Sequence, residues 1–358
     1  MIRRNAYSWK CDRPAAFHGT LRHSPPDATL AAALSGELAG QLRRHFAAAA
    51  VTLAPGPGQG NHLTWLATVD GRPLFIRVEN GPEADGHLAV ESAVLERVRA
   101  AGVPTPRVYG CDVSHREVDF SWQALERIDA PDLNHWFREG LLDGDVIAPA
   151  IGRAVATWQE IVPAGFGVLD TALQGAWPTY AEFFHLRLDE HLAFLARHGL
   201  ISLPERTEIT AEIERHESLL ALDRACLVHK DLALWNILGT PREIAAFIDF
   251  DDAVGGDPLD DLSLLGCFHD GGFLRQAVAG YASVRPLPAE HRRRFWLHLL
   301  RNMLVKAVIR TGAGYFDRAD DLFLIGRGGT GADLRRFTVA RLARALRGLR
   351  DDDDIEAL

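Results

Sequence analysis

His229-Lys230-Asp231-Leu232-Ala233-Leu234-Trp235-Asn236 is followed, after a short gap, by Phe247-Ile248-Asp249-Phe250-Asp251. An Asp and an Asn stand five positions apart, and a second Asp closes an apolar run thirteen residues past the Asn. Phosphoryl transfer uses such a set. One carboxylate holds the acceptor hydroxyl and takes its proton, while an amide oxygen and another carboxylate hold the cations that neutralise the phosphates. The spacing therefore makes Asp231 the candidate base and Asn236 and Asp249 candidate ligands of Mg²⁺, a hard cation that prefers oxygen. His229 is expected to pack and hydrogen-bond beneath the loop. Lys230 either touches a phosphate or a substrate carboxylate, or faces solvent. A turn with capping carboxylates is the competing reading of the set.

Working outward, Leu227-Val228 and Ile237-Leu238 read as short strands flanking the loop, and Ile244 to Ile248 as the strand that delivers Asp249. Upstream the pattern is mostly helical, with helices expected over 144–161, 179–198 and 205–222 and a turn-rich piece at Pro163–Gly167. Glu182, Asp189 and Glu190 lie on the polar side of the second. Downstream, helices are expected over 258–267, 271–282, 288–311, 317–325 and 332–349, ahead of an acidic tail at 351–358.

The N-terminal part reads differently. Residues 1–26 form an irregular arm without periodicity. Asp27 is placed to cap a helix over 28–48, striped by Leu30, Leu34, Leu38, Leu42 and Phe46. Leu63–Val69 and Leu74–Val78 are expected strands, joined by Asp70-Gly71, a strong hairpin signal. Before them, Pro55-Gly56-Pro57-Gly58-Gln59-Gly60-Asn61 could bring backbone N–H groups to phosphates through Gly58, Gly60 and Asn61. A plain hairpin loop is the competing reading. Among 39 Lys and Arg residues only Lys10, Lys230 and Lys306 are lysines. None lies in this sheet, so Arg77 is the candidate phosphate cation, or else a strand residue facing solvent, with Glu91 on the helix 88–101 as its candidate partner and Glu96, opposite the apolar stripe, as the competing choice. Arg107–Cys111 and Phe120–Ile128 complete a five-stranded sheet. The exit through Glu126 and Ile128 is where an adenine edge would meet backbone groups, or is a plain connection.

The bulk numbers agree with this reading. The 358 residues suffice for two lobes, divided here as 27–128 and 129–350. A net charge of −9 argues against nucleic acid and anionic membrane as partners. The four cysteines are scattered without a C-x-x-C pair, which suggests neither a disulfide framework nor a zinc site and points to a reducing cytoplasm. The N-terminus lacks a signal-peptide core, and no apolar run approaches the length of about 20 residues that spans a bilayer. A monomer or homodimer is expected.

The order H-x-D-x-x-x-x-N, then an apolar strand ending in D-F, resembles the kinase catalytic loop and metal motif. With Gly256-Asp257-Pro258-Leu259-Asp260-Asp261-Leu262 after it, the chain resembles the aminoglycoside phosphotransferase and related small-molecule kinase family over residues 50–310. The resemblance implies an α+β, two-lobed protein-kinase-like fold: a small antiparallel β-sheet N-lobe with one main helix, and a mostly helical C-lobe. It implies Mg²⁺-dependent transfer from ATP or GTP to a hydroxyl of a small molecule. It supports Arg77 and Glu91 as a pair, and gives Asp257 the bracing of the catalytic loop and Asp261 the helix after it. Lys230, Ala233 and Trp235 depart from the family pattern on the rim that would face the acceptor. A protein kinase is disfavoured, because Asp249-Phe250-Asp251 lacks the glycine of D-F-G and no A-P-E follows.

For the acceptor, an antibiotic is the first reading, with phosphorylation conferring resistance. A metabolic choline, amino-acid or sugar compound is the second, and a non-catalytic nucleotide-binding module the third. A polycationic acceptor would want carboxylates, for which Glu182, Asp189, Glu190, Asp270 and the tail at 351–354 are candidates. A ring would want a floor such as Trp177, Tyr180 or Trp296. Solvated faces and core packing are the competing readings of these.

Overall fold

The computed structural model describes residues 28–57, 62–79, 86–319, 322, 324 and 329–358, and side chains from Leu34 onward. The chain opens with helix α1 (Ala28–Phe46) and a five-stranded antiparallel sheet of β1 (Val51–Pro55), β2 (His62–Val69), β3 (Arg72–Glu79), β4 (Val108–Asp112) and β5 (Trp122–Glu126), in the order β1-β2-β3-β5-β4. Asp70 and Gly71 both have positive φ, 46° and 82°, as the tight turn between β2 and β3 requires.

Strand alternation sorts this sheet into two faces. Leu63, Trp65, Ala67 and Val69 of β2, Leu74, Ile76 and Val78 of β3, and Trp122 and Ala124 of β5 form one buried cluster, covered by Leu38 and Leu42 of α1. Arg77 stands at an odd position between Ile76 and Val78, in register with Thr64 and Gln123, and so points to the other face. There helix α2 (His87–Ala100) crosses, ended by Gly102 at φ 92° and by Pro104. Gln123 donates to Ser92 of α2 at 2.9 Å.

After the connection at 127–131 the second region begins. It contains α3 (Leu133–Arg138), α4 (Gly144–Trp158), β6 (Phe166–Leu169), β7 (Gly175–Trp177), α5 (Tyr180–His185), α6 (Leu188–Arg197), α7 (Leu203–Arg215) and β8 (Cys226–Val228). The hairpin β9 (Ile237–Thr240) and β10 (Glu243–Phe247) follows, then β11 (Val254–Gly256). Helices α8 (Asp260–Gly266), α9 (Gly271–Ala282), α10 (His291–Gly312) and α11 (Gly331–Asp351) close the chain. A sheet of order β7-β6-β11-β8 runs through this region. The sequence suggested only turns at 163–167, because β6 is buried on both sides and carries no alternation. Together the antiparallel sheet and the helical region make the expected α+β architecture.

Three other expectations need correction. The single helix over 179–198 is two helices, broken at Arg187 (φ 57°). The buried Arg301 of α10 explains the break, since its guanidinium takes the carbonyls of Phe184 at 3.0 Å and Leu186 at 3.1 Å. The acidic tail is docked through ion pairs and one buried side chain, although Asp351, Asp354 and Glu356 stay exposed. Arg292 reaches Asp352 and Asp354 at 3.2 and 3.1 Å, Arg344 reaches Asp353 at 2.7 Å, and Ile355 is buried. The arm at 1–26 and the Asp27 cap lie outside the described residues, and the expected helix over 317–325 is corrected in its described part, where a single 3-10 turn (Tyr315–Asp317) gives way to extended backbone at Arg318. No helix among those described is long and apolar enough to cross a membrane.

Candidate active site

Strand β8 pairs antiparallel with β11 and delivers the loop. Asp261, buried at the start of α8, accepts from the backbone N–H groups of His229 at 3.0 Å and Lys230 at 3.1 Å. Its Oδ2 also accepts from the Trp158 indole at 3.0 Å. The His229 ring lies 4.2 Å from that of Phe250, and its Nε2 is 3.0 Å from the carbonyl of Ile248. Asp231 N–H donates to Nδ1 of the same ring at 3.3 Å. The backbone around Asp231 is thereby fixed from below and behind. Burial pushes the Asp261 carboxyl above its ordinary range, with the backbone N–H groups of His229 and Lys230 opposing.

The roles expected of two carboxylates are exchanged here. Asp257, expected to brace the loop, instead accepts from Leu259 N–H at 2.8 Å and pairs with Arg294 at 2.6 Å and His298 at 3.3 Å. Asp261, expected to hold the helix, braces the loop. Asp257 precedes Pro258 and faces α10, whereas Asp261 lies one turn on and faces β8.

Asn236 closes the loop. Its amide N–H group donates to the Asp231 carbonyl at 2.8 Å and to Asp231 Oδ2 at 3.3 Å. That orientation leaves the amide oxygen for a cation. Ile248 N–H donates to the Asn236 carbonyl at 3.0 Å, so the hairpin brings the segment ending in Asp249 back beside the loop. Asp249 has φ 66°, a left-handed turn that re-aims its carboxylate. An amide oxygen and a carboxylate oxygen suit Mg²⁺, and Asn236 and Asp249 are the residues that could hold it.

Arg77 joins the sheet to this site. It donates to Glu91 on α2, reaches Asp249 Oδ1 at 3.0 Å, and lies 3.9 Å from Asp251. Burial works against its charge, but Glu91, Asp249 and Asp251 outweigh it and hold the guanidinium above its ordinary value. Burial pushes the Glu91 carboxyl up to about 7 against the pull of Arg77. Asp251 and His62, 3.8 Å apart, also stand here and carry no separate sequence signal.

Several expected contacts are not brought to the site. Lys230 turns inward at φ 67° and pairs with buried Asp260 at 2.6 Å and Asn302 at 3.0 Å. It neither faces solvent nor reaches into the cleft, because Asp260 offers a desolvated partner. Glu182 closes the capping box of α5, Asp270 caps α9, and Asp189 is exposed with Arg206 at 4.0 Å. Glu190 pairs with Arg187 at 2.6 Å. Trp296 and Tyr180 are core residues, and Trp177 packs on Phe183 at 5.5 Å. Glu126 ends β5 and accepts from Arg107 N–H at 3.1 Å, and Ile128 is half-buried in the connection. Gly58, Gly60 and Asn61 lie outside the described residues.

A further residue at the site had no motif to announce it. Lys306 of α10 donates to Asp231 Oδ1 at 2.7 Å. Its Nζ sits 5.5 Å from the Phe268 ring centre, and Trp235 meets that ring edge-on at 4.7 Å. Only its rarity in a lysine-poor chain singles it out.

Residues 52–296 match the phosphotransferase enzyme family. The chain belongs to that family. No curated protein matches it. Among solved structures, the aminoglycoside phosphotransferase APH(4)-Ia is similar with TM-score 0.62 at 17% identity, covering 87% of this chain and 98% of that one. A putative fructosamine-3-kinase from Haemophilus somnus has TM-score 0.57 at 16% identity, with 87% and 96% covered. A choline/ethanolamine kinase family protein from Mesorhizobium loti has TM-score 0.51 at 17% identity, with 84% and 88% covered. The family makes the chain a phosphotransferase, and these neighbours share its fold.

Proposed function

We propose that this phosphotransferase moves the γ-phosphoryl group of ATP or GTP to a small-molecule hydroxyl, with Mg²⁺ held by Asn236 and Asp249. When bound, Mg²⁺ neutralises charge on the phosphates. Asp231 accepts the hydroxyl proton as the acceptor oxygen bonds to the γ-phosphorus, while the bond to the bridging oxygen of the β-phosphate breaks and the nucleoside diphosphate leaves. Arg77, oriented by Glu91, serves the phosphates. Glu126 and Ile128 offer backbone groups to the purine. The observation that supports this most is the hydrogen-bonded junction of Asp231, Asn236 and the strand leading to Asp249. A solved APH(4)-Ia ternary complex holds AMP-PNP and hygromycin B, which agrees with a nucleotide and a small-molecule acceptor sharing this fold.

An antibiotic acceptor, with resistance as the outcome, has the support of that complex. The metabolic reading is favoured by the carboxylates expected for a polycation, which are engaged in caps and ion pairs instead. Expression in a sensitive host decides between them: tolerance to one antibiotic class supports the first reading, and no shift across aminoglycoside, peptide and nucleoside antibiotics supports the second. A non-catalytic module would leave nucleotide turnover no higher than in Asp231→Ala. The thiols of Cys111, Cys226 and Cys267 are unpaired, in keeping with a reducing cytoplasm.

A further inference from the structure

The two carboxylate oxygens of Asp231 have different neighbours. Oδ2 takes the Asn236 amide at 3.3 Å, on the side where the metal would sit. Oδ1 takes the Lys306 ammonium at 2.7 Å. Beyond Lys306 stand Phe268 and Trp235, and all three side chains keep partial exposure. An ammonium has three donors, and among the described residues only Asp231 accepts from this one.

Resting on the kinase reading above, we infer that the acceptor carries an anionic group, a carboxylate or a phosphate monoester, near its reacting hydroxyl, and that Lys306 binds this group. A lysine is a compact point charge whose spare donors suit either anion. The other carboxylates that a polyamine would need are committed elsewhere: Glu182 to the α5 cap, Asp270 to the α9 cap, Glu190 to Arg187. A cationic acceptor would therefore meet a like charge beside the base and no compensating carboxylate among these. The edge of Trp235 and Phe268 offers apolar surface to the carbon skeleton that joins anion and hydroxyl.

The test uses the full-length protein, Mg²⁺ and γ-labelled ATP and GTP, with hydroxyl compounds pooled by charge: hydroxy acids, sugar phosphates, neutral sugars and polyols, and amino sugars. Label is expected in one of the two anionic pools at least about tenfold faster than in the neutral and cationic pools, and which of the two separates carboxylate from phosphate. On the labelled acceptor, Lys306→Gln should raise KM by about tenfold to a hundredfold with kcat little changed, and Lys306→Arg should recover part of the loss. Faster labelling of neutral or amino sugars overturns the inference. So does nucleotide hydrolysis with no label in either anionic pool. An equal fall in kcat for every acceptor in Lys306→Gln would assign the lysine to the transferring phosphate and overturn it too. Absence of any nucleotide turnover would instead remove the kinase reading itself, and this inference with it.

Discussion

Nη2 of Arg77 lies 3.0 Å from Oδ1 of Asp249, a contact between residues 172 positions apart in the chain. It couples strand β3 to the segment that ends in the expected metal ligand. The same guanidinium holds Glu91, which is fully buried. Arg77→Ala would leave that carboxylate without its cation, and removing one partner of a buried pair costs about 3 to 5 kcal/mol. Denaturant unfolding at neutral pH measures this. The loss should grow as pH rises above the Glu91 value of about 7, because without the guanidinium the carboxyl keeps its proton to higher pH in the variant. An unchanged midpoint would contradict the coupling.

Lys230 and Asp260 form a second buried pair, 2.6 Å apart beneath the loop. Lys230→Met should destabilise the fold by about 3 kcal/mol, and the cycle with Asp260→Asn should return a coupling of about 1 to 3 kcal/mol. Acceptor KM should move little. A large rise in acceptor KM with no change in stability would return Lys230 to a substrate contact.

His269 is buried against Phe273 and Phe137, with ring centres 4.2 and 5.2 Å away. Burial lowers its pKa to about 4 from an ordinary 6.5. The unfolded chain then binds more protons than the folded one between those values, so stability falls as pH drops through that window. The full loss is about 3 kcal/mol at most. His269→Phe should flatten the profile over that range, and an equally steep profile in the variant would rule the residue out as its source.

The docked C-terminus rests on apolar contact more than on charge. Ile355→Ala should cost about 2 to 4 kcal/mol, as for other buried isoleucines. Asp354→Asn, at an exposed ion pair, should move the unfolding midpoint far less. A larger effect at Asp354 would reverse that ranking.

Much of this arrangement was legible in the sequence because local chemistry announced it. Asp70-Gly71 marked the hairpin, alternation marked β2 and β3, and Gly102 with Pro104 ended α2. The spacing of Asp231, Asn236 and Asp249 predicted the junction that the β9–β10 hairpin brings together. What stayed hidden depends on distant partners. Lys306 acquires meaning only because α10 passes the loop, and Lys230 turns inward only because Asp260 and Asn302 wait there. The break at Arg187 is caused by Arg301, more than a hundred residues on. Strand β6 is buried on both sides and lacks the period that reveals a strand.

The central claim is transfer of a phosphoryl group with Asp231 as base. Label transfer from γ-labelled nucleotide to a small-molecule hydroxyl, compared between wild type and Asp231→Ala at matched folded fraction, tests it most directly. The expected result is acceptor labelling that falls by about 10² to 10⁴ in the variant while nucleotide still binds. Equal labelling in both proteins, or none in either above the rate without protein, would contradict it.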